Sequence, residues 1–494
     1  MATRPESNFA GQLTKRLGEH SSLVDAATCE TVLPSDLPRL ISSFATSLLS
    51  AGLTQGDPLL IGCTLSPSST IAYLGAMYAG LVAVPIEEGT LVSSLPELVR
   101  RTHARGVWTE KSCGSGRAGD LGVVFLDGHP QGPRTEVNPP APRNENDLAV
   151  LVATSGSTGT PRFVMVSHGN LTANTEAIVQ SQKLGTGERA MLILPVSYCF
   201  GASVLHTHLY QGGGVVFDRR FMFPDKVLRA IAEHECTTFA GVPTVYNILL
   251  RRSNLRRIPM PSLRRLLQAG GPLAPQQVTE MRAAVPATEF YVMYGQTEAT
   301  ARISCLDPEH LEEKLGSAGR PLHNLTVRIL DEGERDLPAG QTGEIVVGGP
   351  SVTLGYLDEP EETDRTFKDG WLRTGDLGHL DADGYLWIDG RKSTFLKMRG
   401  VRLSFAEVEA KVTAVPGVYE CAATSVPDPE VGEALALYIV PDKDLLDVVV
   451  DRVRRSLPTQ WTCESVNIVS EIPKTANGKV SRASLAKQST RTDG

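Results

Sequence analysis

The stretch from residue 148 to residue 162 constrains this chain more than any other. The apolar run Leu148-Ala149-Val150-Leu151-Val152-Ala153 reads as a buried strand that empties into Thr154-Ser155-Gly156-Ser157-Thr158-Gly159-Thr160-Pro161-Arg162. Glycines let backbone N–H groups converge on an anion without a Cβ in the way, and the hydroxyls and Arg162 add donors for phosphate oxygens. By itself the loop leaves two readings open, a phosphate cradle and a solvated Ser/Gly turn between two elements. The commonest phosphate loop is excluded. A Walker sequence needs Gly, four residues, Gly-Lys and a hydroxyl residue, and neither Gly156 nor Gly159 begins one.

Four later segments narrow the reading: Tyr294-Gly295-Gln296-Thr297-Glu298; Thr374-Gly375-Asp376; Gly390-Arg391 with Lys397-Met398-Arg399-Gly400; and Pro473-Lys474-Thr475-Ala476-Asn477-Gly478-Lys479. With the loop, in this order and over nearly the whole chain, they resemble the adenylate-forming superfamily of acyl-CoA synthetases, nonribosomal peptide adenylation domains and luciferases. The likeness is strongest to a free-standing AMP-dependent acid–thiol ligase.

A chain of 494 residues exceeds what one hydrophobic core serves, so two or three domains are expected. The net charge of -8, with Lys and Arg dispersed, implies no basic face and no nucleic-acid partner. The pairs Arg251-Arg252, Arg256-Arg257 and Arg264-Arg265 read as a solvated helix and loop face, with an anion-binding patch as the alternative. Eight cysteines include no Cys-x-x-Cys pair, and Cys63, Cys236 and Cys421 sit in apolar stretches, which suits a reducing cytoplasm. No apolar h-region follows Met1-Ala2-Thr3-Arg4-Pro5, so a signal peptide is not expected. The longest apolar run, Ile71 to Ile86, is broken by Gly75, Gly80 and Pro85 and reads as a buried helix and strand rather than a membrane span.

From about residue 37 to residue 300, helical periods alternate with short aliphatic runs, the pattern of an α/β fold with mostly parallel sheets and crossover helices. Expected strands are Pro58 to Gly62, Ala190 to Leu194, Thr237 to Ala240 and Phe290 to Met293; expected helices are Ser68 to Ala79, with serine caps, and Asp225 to His234. Asn170 is expected to cap the helix after the loop. After Ser317, the runs Leu325 to Leu330, Gly343 to Val347 and Gly384 to Ile388 predict a β-rich subdomain over about 318–392. Beyond it, helical Phe405 to Val415 and Leu446 to Ser456 and strand-like Val418 to Ser425 and Glu433 to Val440 predict a small α+β domain. The resemblance implies a large N-terminal domain, 1–392, and a small mobile C-terminal domain, 393–494, hinged at Ser393.

Joining a carboxylate to the α-phosphate of ATP brings two anions together, so cations and N–H donors are the required parts. The resemblance implies that Thr154 and Ser155 to Gly159 hold the phosphates. Arg162 stands where the family usually has lysine, keeping the charge but changing a point donor into a planar fork. Phe163 replaces a usual glycine and is expected to stiffen the end of the loop. Tyr294 would stack on adenine, with Gly295, Gly270 and Gly271 beside the nucleotide; Thr297 would bond the α-phosphate and Glu298 would ligate Mg²⁺. Asp376 would accept from the ribose hydroxyls, and Arg391 would reach ribose or phosphate. Lys479 resembles the family's catalytic lysine, which bridges the substrate carboxylate and the α-phosphate. His206-Thr207-His208 is not read as a metal site, since i and i+2 on a helix do not share a face.

Pocket candidates by family position are Tyr198, Gly201, Gly241, Val242, Gln268, Gly270, Gly271 and Met293, a small and mostly apolar set suited to an aryl or bulky alicyclic acid. Phe200-Gly201-Ala202-Ser203 is similar to the Phe-Asp-Ala-Ser segment of amino-acid-activating domains, and glycine stands where their aspartate binds the α-ammonium. An unpaired buried ammonium costs on the order of several kcal/mol, as a lost ion pair does, so a carboxylic acid without an α-amino group is the expected substrate. Gly400 resembles the glycine beside which a pantetheine arm passes. CoA is the expected acceptor, with the phosphopantetheine of a separate acyl carrier protein as the alternative; a luciferase-like oxygenase and a non-catalytic nucleotide-binding protein are remoter readings.

Overall fold

A computed structural model of the chain describes residues 7–111, 121–130, 137–154, 162–391, 395–398, 401–428, 430–442, 446–474, 480–482 and 484–485. The chain divides into two compact units. The first comprises Met1–Arg328, Val346–Thr374 and Gly384–Leu386; the second comprises Ile329–Ile345, Gly375–Asp383 and Trp387–Gly494.

In the first unit the aliphatic runs form two largely parallel sheets. One is ordered Val124–Asp127, Gly106–Thr109, Pro58–Cys63, Val82–Glu87, Leu148–Thr154 and Arg162–Ser167. All neighbours run parallel except the last pair, an antiparallel hairpin with Thr154 opposite Arg162. Its strands are apolar along their length because both faces are covered. The helix Pro67–Tyr78 is buried all round, so it shows no polar face, and Ser66, accepting from the Ser69 N–H at 3.2 Å, caps it ahead of Pro67. The run from Ile71 to Ile86 is therefore this helix and the strand after it.

The second sheet is ordered Arg320–Pro321, Ser304–Leu306, Glu289–Tyr294, Arg265–Gln268, Thr238–Gly241, Arg189–Leu192, Gly214–Phe217, Leu23–Asp25 and Thr31–Val32. The six strands from Glu289–Tyr294 to Leu23–Asp25 run parallel, and the outer pairings are antiparallel. One face packs Met191, Phe239, Leu266 and Phe290 against Leu228, Ile231, Tyr246 and Leu249 from the crossover helices. This is the α/β architecture the periodicity implied. No helix among the described residues is long and apolar enough to cross a membrane.

In the second unit, the strands Val401–Ser404, Phe395–Met398, Gly432–Pro441 and Val418–Asp428 form an antiparallel sheet, to which Cys463–Ile468 adds a parallel strand beside Gly432–Pro441. Leu435, Leu437 and Ile439 face Val408 and Val412 of the helix Phe405–Thr413 and Val449 and Val453 of the helix Leu446–Ser456. Ala436 and Tyr438 face the other way, toward Ile472 and Leu485, as the two-residue strand period requires.

Several local expectations change. Ser167, not Asn170, is the N-cap of the helix His168–Ser181: its Oγ accepts from the Asn170 N–H at 3.1 Å, while Asn170 Oδ1 accepts from the Ser167 N–H at 3.0 Å. Asn170 is the N3 member of a capping box, in the helix's first turn, a position a single-residue cap reading overlooks. Gly384 lies in the turn before the strand Leu386–Arg391, so Gly390-Arg391 belongs to that strand. Phe163 is buried in the strand core opposite Ala153. Arg251 and Arg256 pair with Glu280 at the surface, but Arg265 is a buried strand residue bound to Glu188 at 2.8 Å, so the basic cluster is not one solvated face.

Candidate active site

The segment Ser155 to Gly159 lies outside the described residues, but its flanks are fixed. Thr154 and Arg162 face each other across the hairpin, so the segment joins two strands rather than a strand and a helix. The Arg162 guanidinium is already engaged: Nε lies 2.9 Å from Glu359 and a terminal nitrogen 2.9 Å from Glu362, and its carbon sits 5.5 Å from the Tyr356 ring centroid. Burial alone would raise the Glu362 carboxyl, but hydrogen bonds from Arg365 and the charge of Arg162 hold it below its ordinary value.

The segment Tyr294 to Glu298 caps an antiparallel hairpin between Glu289–Tyr294 and Ser304–Leu306. Gly295 is obligatory there, since a Cβ would stand 1.9 Å from the Ala301 carbonyl oxygen. One 3₁₀ turn, Thr297–Ala299, follows, anchored where Thr300 Oγ1 donates to the Ser351 carbonyl at 2.7 Å. Thr297 Oγ1 lies 3.5 Å from Cys199 Sγ, at the start of the helix Cys199–Tyr210. The Tyr356 hydroxyl donates to Glu298 Oε1 at 2.9 Å, and the Thr353 N–H donates to the Glu298 carbonyl at 3.0 Å. Burial and the neighbouring carboxylate push the Tyr356 phenol well up, so it remains a donor. Glu298 is thus a half-buried hard oxygen donor held in one orientation, and it fits a magnesium ligand. The sequence reading missed Tyr356, because an aromatic after a glycine turn carries no local sign of what it touches.

The pocket candidates cluster at the carboxyl ends of parallel strands, where open α/β sheets bind ligands. Gly241 lies opposite Gln268, and Gln268 opposite Val292. Tyr198 and Val242 are the N-cap residues of the helices Cys199–Tyr210 and Pro243–Arg252. Gly270, at φ +86°, brings them together: a Cβ there would stand 2.5 Å from Tyr198 Oη and 3.0 Å from Val242 Cγ1. Gln268 Nε2 donates to the Gly271 carbonyl at 2.7 Å and so staples this turn. Burial raises the Tyr198 phenol, which stays protonated.

Two candidates are placed differently. Met293 is buried with its sulfur accepting from Gln182 Nε2 at 3.1 Å, on the strand face away from Phe290 and Val292. Gly201 backs onto main chain, where a Cβ would meet the Pro195 carbonyl oxygen at 2.3 Å and that of Leu194 at 2.8 Å. Glycine is required at that point by the close approach itself. His206 stacks on Tyr73, 3.2 Å from its hydroxyl, and His208 Nδ1 lies 2.8 Å from the Val204 carbonyl; burial lowers them to about 3 and about 4.

Asp376 and Arg391, both in the second unit, meet where the strands Trp371–Leu380 and Leu386–Arg391 pair: the buried Asp376 carboxylate accepts from Arg391 Nε at 3.0 Å. Ser393, Gly400 and Lys479 lie outside the described residues.

Residues 19–357 match the model of AMP-binding enzymes, and residues 407–479 match that of the AMP-binding enzyme C-terminal domain. The chain belongs to the AMP-binding enzyme family. It is 32% identical over 473 residues to a feruloyl-CoA synthase of Amycolatopsis sp, covering 92% of this chain and 93% of that one. It is 31% identical over 457 residues to a sulfoacetate–CoA ligase of Cupriavidus necator, covering 89% of each. Among solved structures, the o-succinylbenzoate CoA synthetase of Bacillus subtilis in complex with its acyl-adenylate intermediate superposes with a TM-score of 0.86 at 26% identity, over 98% of both chains.

Proposed function

We infer that the protein is an AMP-forming acid–thiol ligase that activates a carboxylic acid without an α-amino group and passes the acyl group to CoA. The observation that carries this is the hairpin presenting Thr297 and Glu298 beside the helix start at Cys199, with Tyr198, Val242 and Gly270 packed together at the carboxyl ends of the neighbouring strands. The relatives' names as CoA ligases support the acceptor.

In the first half-reaction, a carboxylate oxygen attacks the α-phosphorus of ATP, the bond to the β-phosphate oxygen breaks, and pyrophosphate leaves. Ser155, Gly156, Ser157, Thr158 and Gly159 hold the phosphates, Thr297 donates to the α-phosphate, and Lys479 bridges the two reacting anions. Glu298 holds Mg²⁺, which offsets phosphate charge when bound. Tyr294 stacks on adenine, and Asp376 binds the ribose once Arg391 is redirected to ribose or phosphate. In the second half-reaction, the thiol sulfur attacks the acyl carbonyl, AMP departs, and the thiol proton goes to solvent. Rotation of residues 393–494 about Ser393 brings the path beside Gly400 into use. Absence of a carboxylate at Gly201 leaves an α-ammonium without a partner there. The reaction belongs to the cytoplasm, which eight cysteines without a Cys-x-x-Cys pair suit.

The run Lys397-Met398-Arg399-Gly400-Val401-Arg402 favours a second acceptor, a phosphopantetheinylated carrier protein. The test uses the purified chain with ATP, Mg²⁺ and a library of carboxylic acids. An acid that supports ATP–pyrophosphate exchange and then AMP release on adding CoA is the expected result; exchange followed by release only with a carrier protein selects the second acceptor, and exchange with no acid defeats the reading.

A further inference from the structure

Arg302 is the one fully charged side chain buried without a charge of opposite sign among the described residues. Asp25 pairs with Arg219 at 2.6 Å, Asp218 with Arg220 at 2.7 Å, Glu188 with Arg265 at 2.8 Å and Asp376 with Arg391 at 3.0 Å. Arg302 is 2% exposed, and among the described residues its guanidinium meets neither a carboxylate nor a hydrogen-bond acceptor; its Nε is sealed from solvent.

Its direction is built in. Gly295 leaves room for the Arg302 backbone, whose Cα lies 2.9 Å from where a Cβ would be. Asn174 then clamps that backbone from both sides, Nδ2 donating to the Arg302 carbonyl at 2.9 Å and Oδ1 accepting from its N–H at 3.3 Å. The guanidinium carbon ends 4.9 Å from the centroid of Phe200, which meets Tyr198 edge-on at 6.3 Å. The charge therefore lies on one side of Phe200 with Tyr198 also against that ring, close enough that Arg302 and Tyr198 act on each other electrostatically. A ring face offsets part of the cost of burial but accepts none of the five N–H groups in the normal way. Burial disfavours the charged form, yet a guanidinium does not give up its proton in a protein.

We propose that Arg302 binds a second anionic group, a carboxylate or an equivalent oxyanion, on the acid that this enzyme activates; the proposal rests on the acid–thiol ligase reading. The planar fork matches two oxygens at once, and a buried cation rewards an anion more than a neutral group of the same size. The same charge repels an α-ammonium, so it selects in the same direction as Gly201.

The test measures ATP–pyrophosphate exchange with matched pairs of acids, each a monocarboxylate and the same skeleton carrying a second carboxylate. The wild-type chain should prefer the dianionic member, and Arg302→Met should raise the KM of that member by about 10²-fold, as for loss of one partner of a buried charge pair. Arg302→Lys should recover part of the preference, and melting curves recorded in parallel establish that both variants fold. A dianionic acid should also raise the melting temperature of the wild type and not of Arg302→Met, which reads binding without turnover. Exchange restricted to monocarboxylates, or a preference that Arg302→Met leaves intact, overturns this proposal while the ligase reading stands. Exchange with no acid of either kind overturns the ligase reading and this proposal with it.

Discussion

Arg162 and Arg302 both belong to the first unit, and their surroundings are opposite. Arg162 ends a strand and finds Glu359 and Glu362, each at 2.9 Å, with Arg365 completing the cluster. Arg302 is buried more deeply and, among the described residues, meets the face of Phe200 and no carboxylate. The difference separates a charge the fold has already compensated from one it has not. A compensated arginine must exchange partners before it can help hold a phosphate, whereas an uncompensated one gains its first partner on binding.

Acid pH stresses the uncompensated side first. His206 and His208 lie on the helix that also carries Phe200, and His168 starts the neighbouring helix; burial lowers them to about 3, 4 and 4. Their folded values lie below the unfolded one near 6.5, so unfolding takes up protons below that pH. The stability they contribute is present above about pH 6.5 and lost toward pH 4, at about 1.4 kcal/mol per pH unit for each histidine. Urea melts between pH 7 and pH 5 should show this slope, and His208→Gln should reduce it; a flat profile would mean these rings already protonate in the fold.

The next effect concerns catalysis on the compensated side. Glu298→Gln keeps the shape and removes the charge, so adenylation should fall by about 10² to 10³, the range for deleting one preorganised electrostatic group. Pyrophosphate exchange titrated with Mg²⁺ reads it, and an unchanged Mg²⁺ requirement would remove Glu298 as ligand.

The two arginines themselves should then respond with opposite signs. Arg162→Met strands two partly buried carboxylates and should lower stability by about 1–2 kcal/mol. Arg302→Met replaces an uncompensated charge with apolar volume and should raise the melting temperature of the ligand-free chain. Denaturant melts of both variants decide the matter; destabilisation by both would show that Arg302 is compensated after all.

The smallest effect belongs to Tyr356→Phe. It removes one charge-assisted hydrogen bond from Glu298, worth about 1.5 kcal/mol, and should cost roughly tenfold in exchange at limiting Mg²⁺. Recovery at saturating Mg²⁺ is expected if Tyr356 only orients the carboxylate, and a loss independent of Mg²⁺ would argue for another role.

Much of this molecule was legible in the residues. Aliphatic runs such as Pro58–Cys63 and Glu289–Tyr294 became parallel strands because a strand covered on both faces must be apolar throughout, a property local sequence displays. The ordered motifs placed Tyr294, Thr297 and Glu298 on one hairpin for the same reason: they are neighbours in the chain. Side-chain direction was less legible. Met293 was read into the pocket, but the pleat points it at Gln182; Gly201 was read as a place without a carboxylate, and the Pro195 carbonyl leaves it no space for any side chain.

What the sequence by itself determined is the α/β architecture, the family and the set of groups available for phosphate and carboxylate chemistry, because periodicity and motif order survive without knowledge of contacts. Only the tertiary structure decided how those charges are spent. Arg162 meets Glu362 two hundred residues away, Glu298 meets Tyr356, and Arg302 meets no carboxylate among the described residues. Charge pairing depends on which distant segments pack together and how much water they exclude, and an arginine codon states neither.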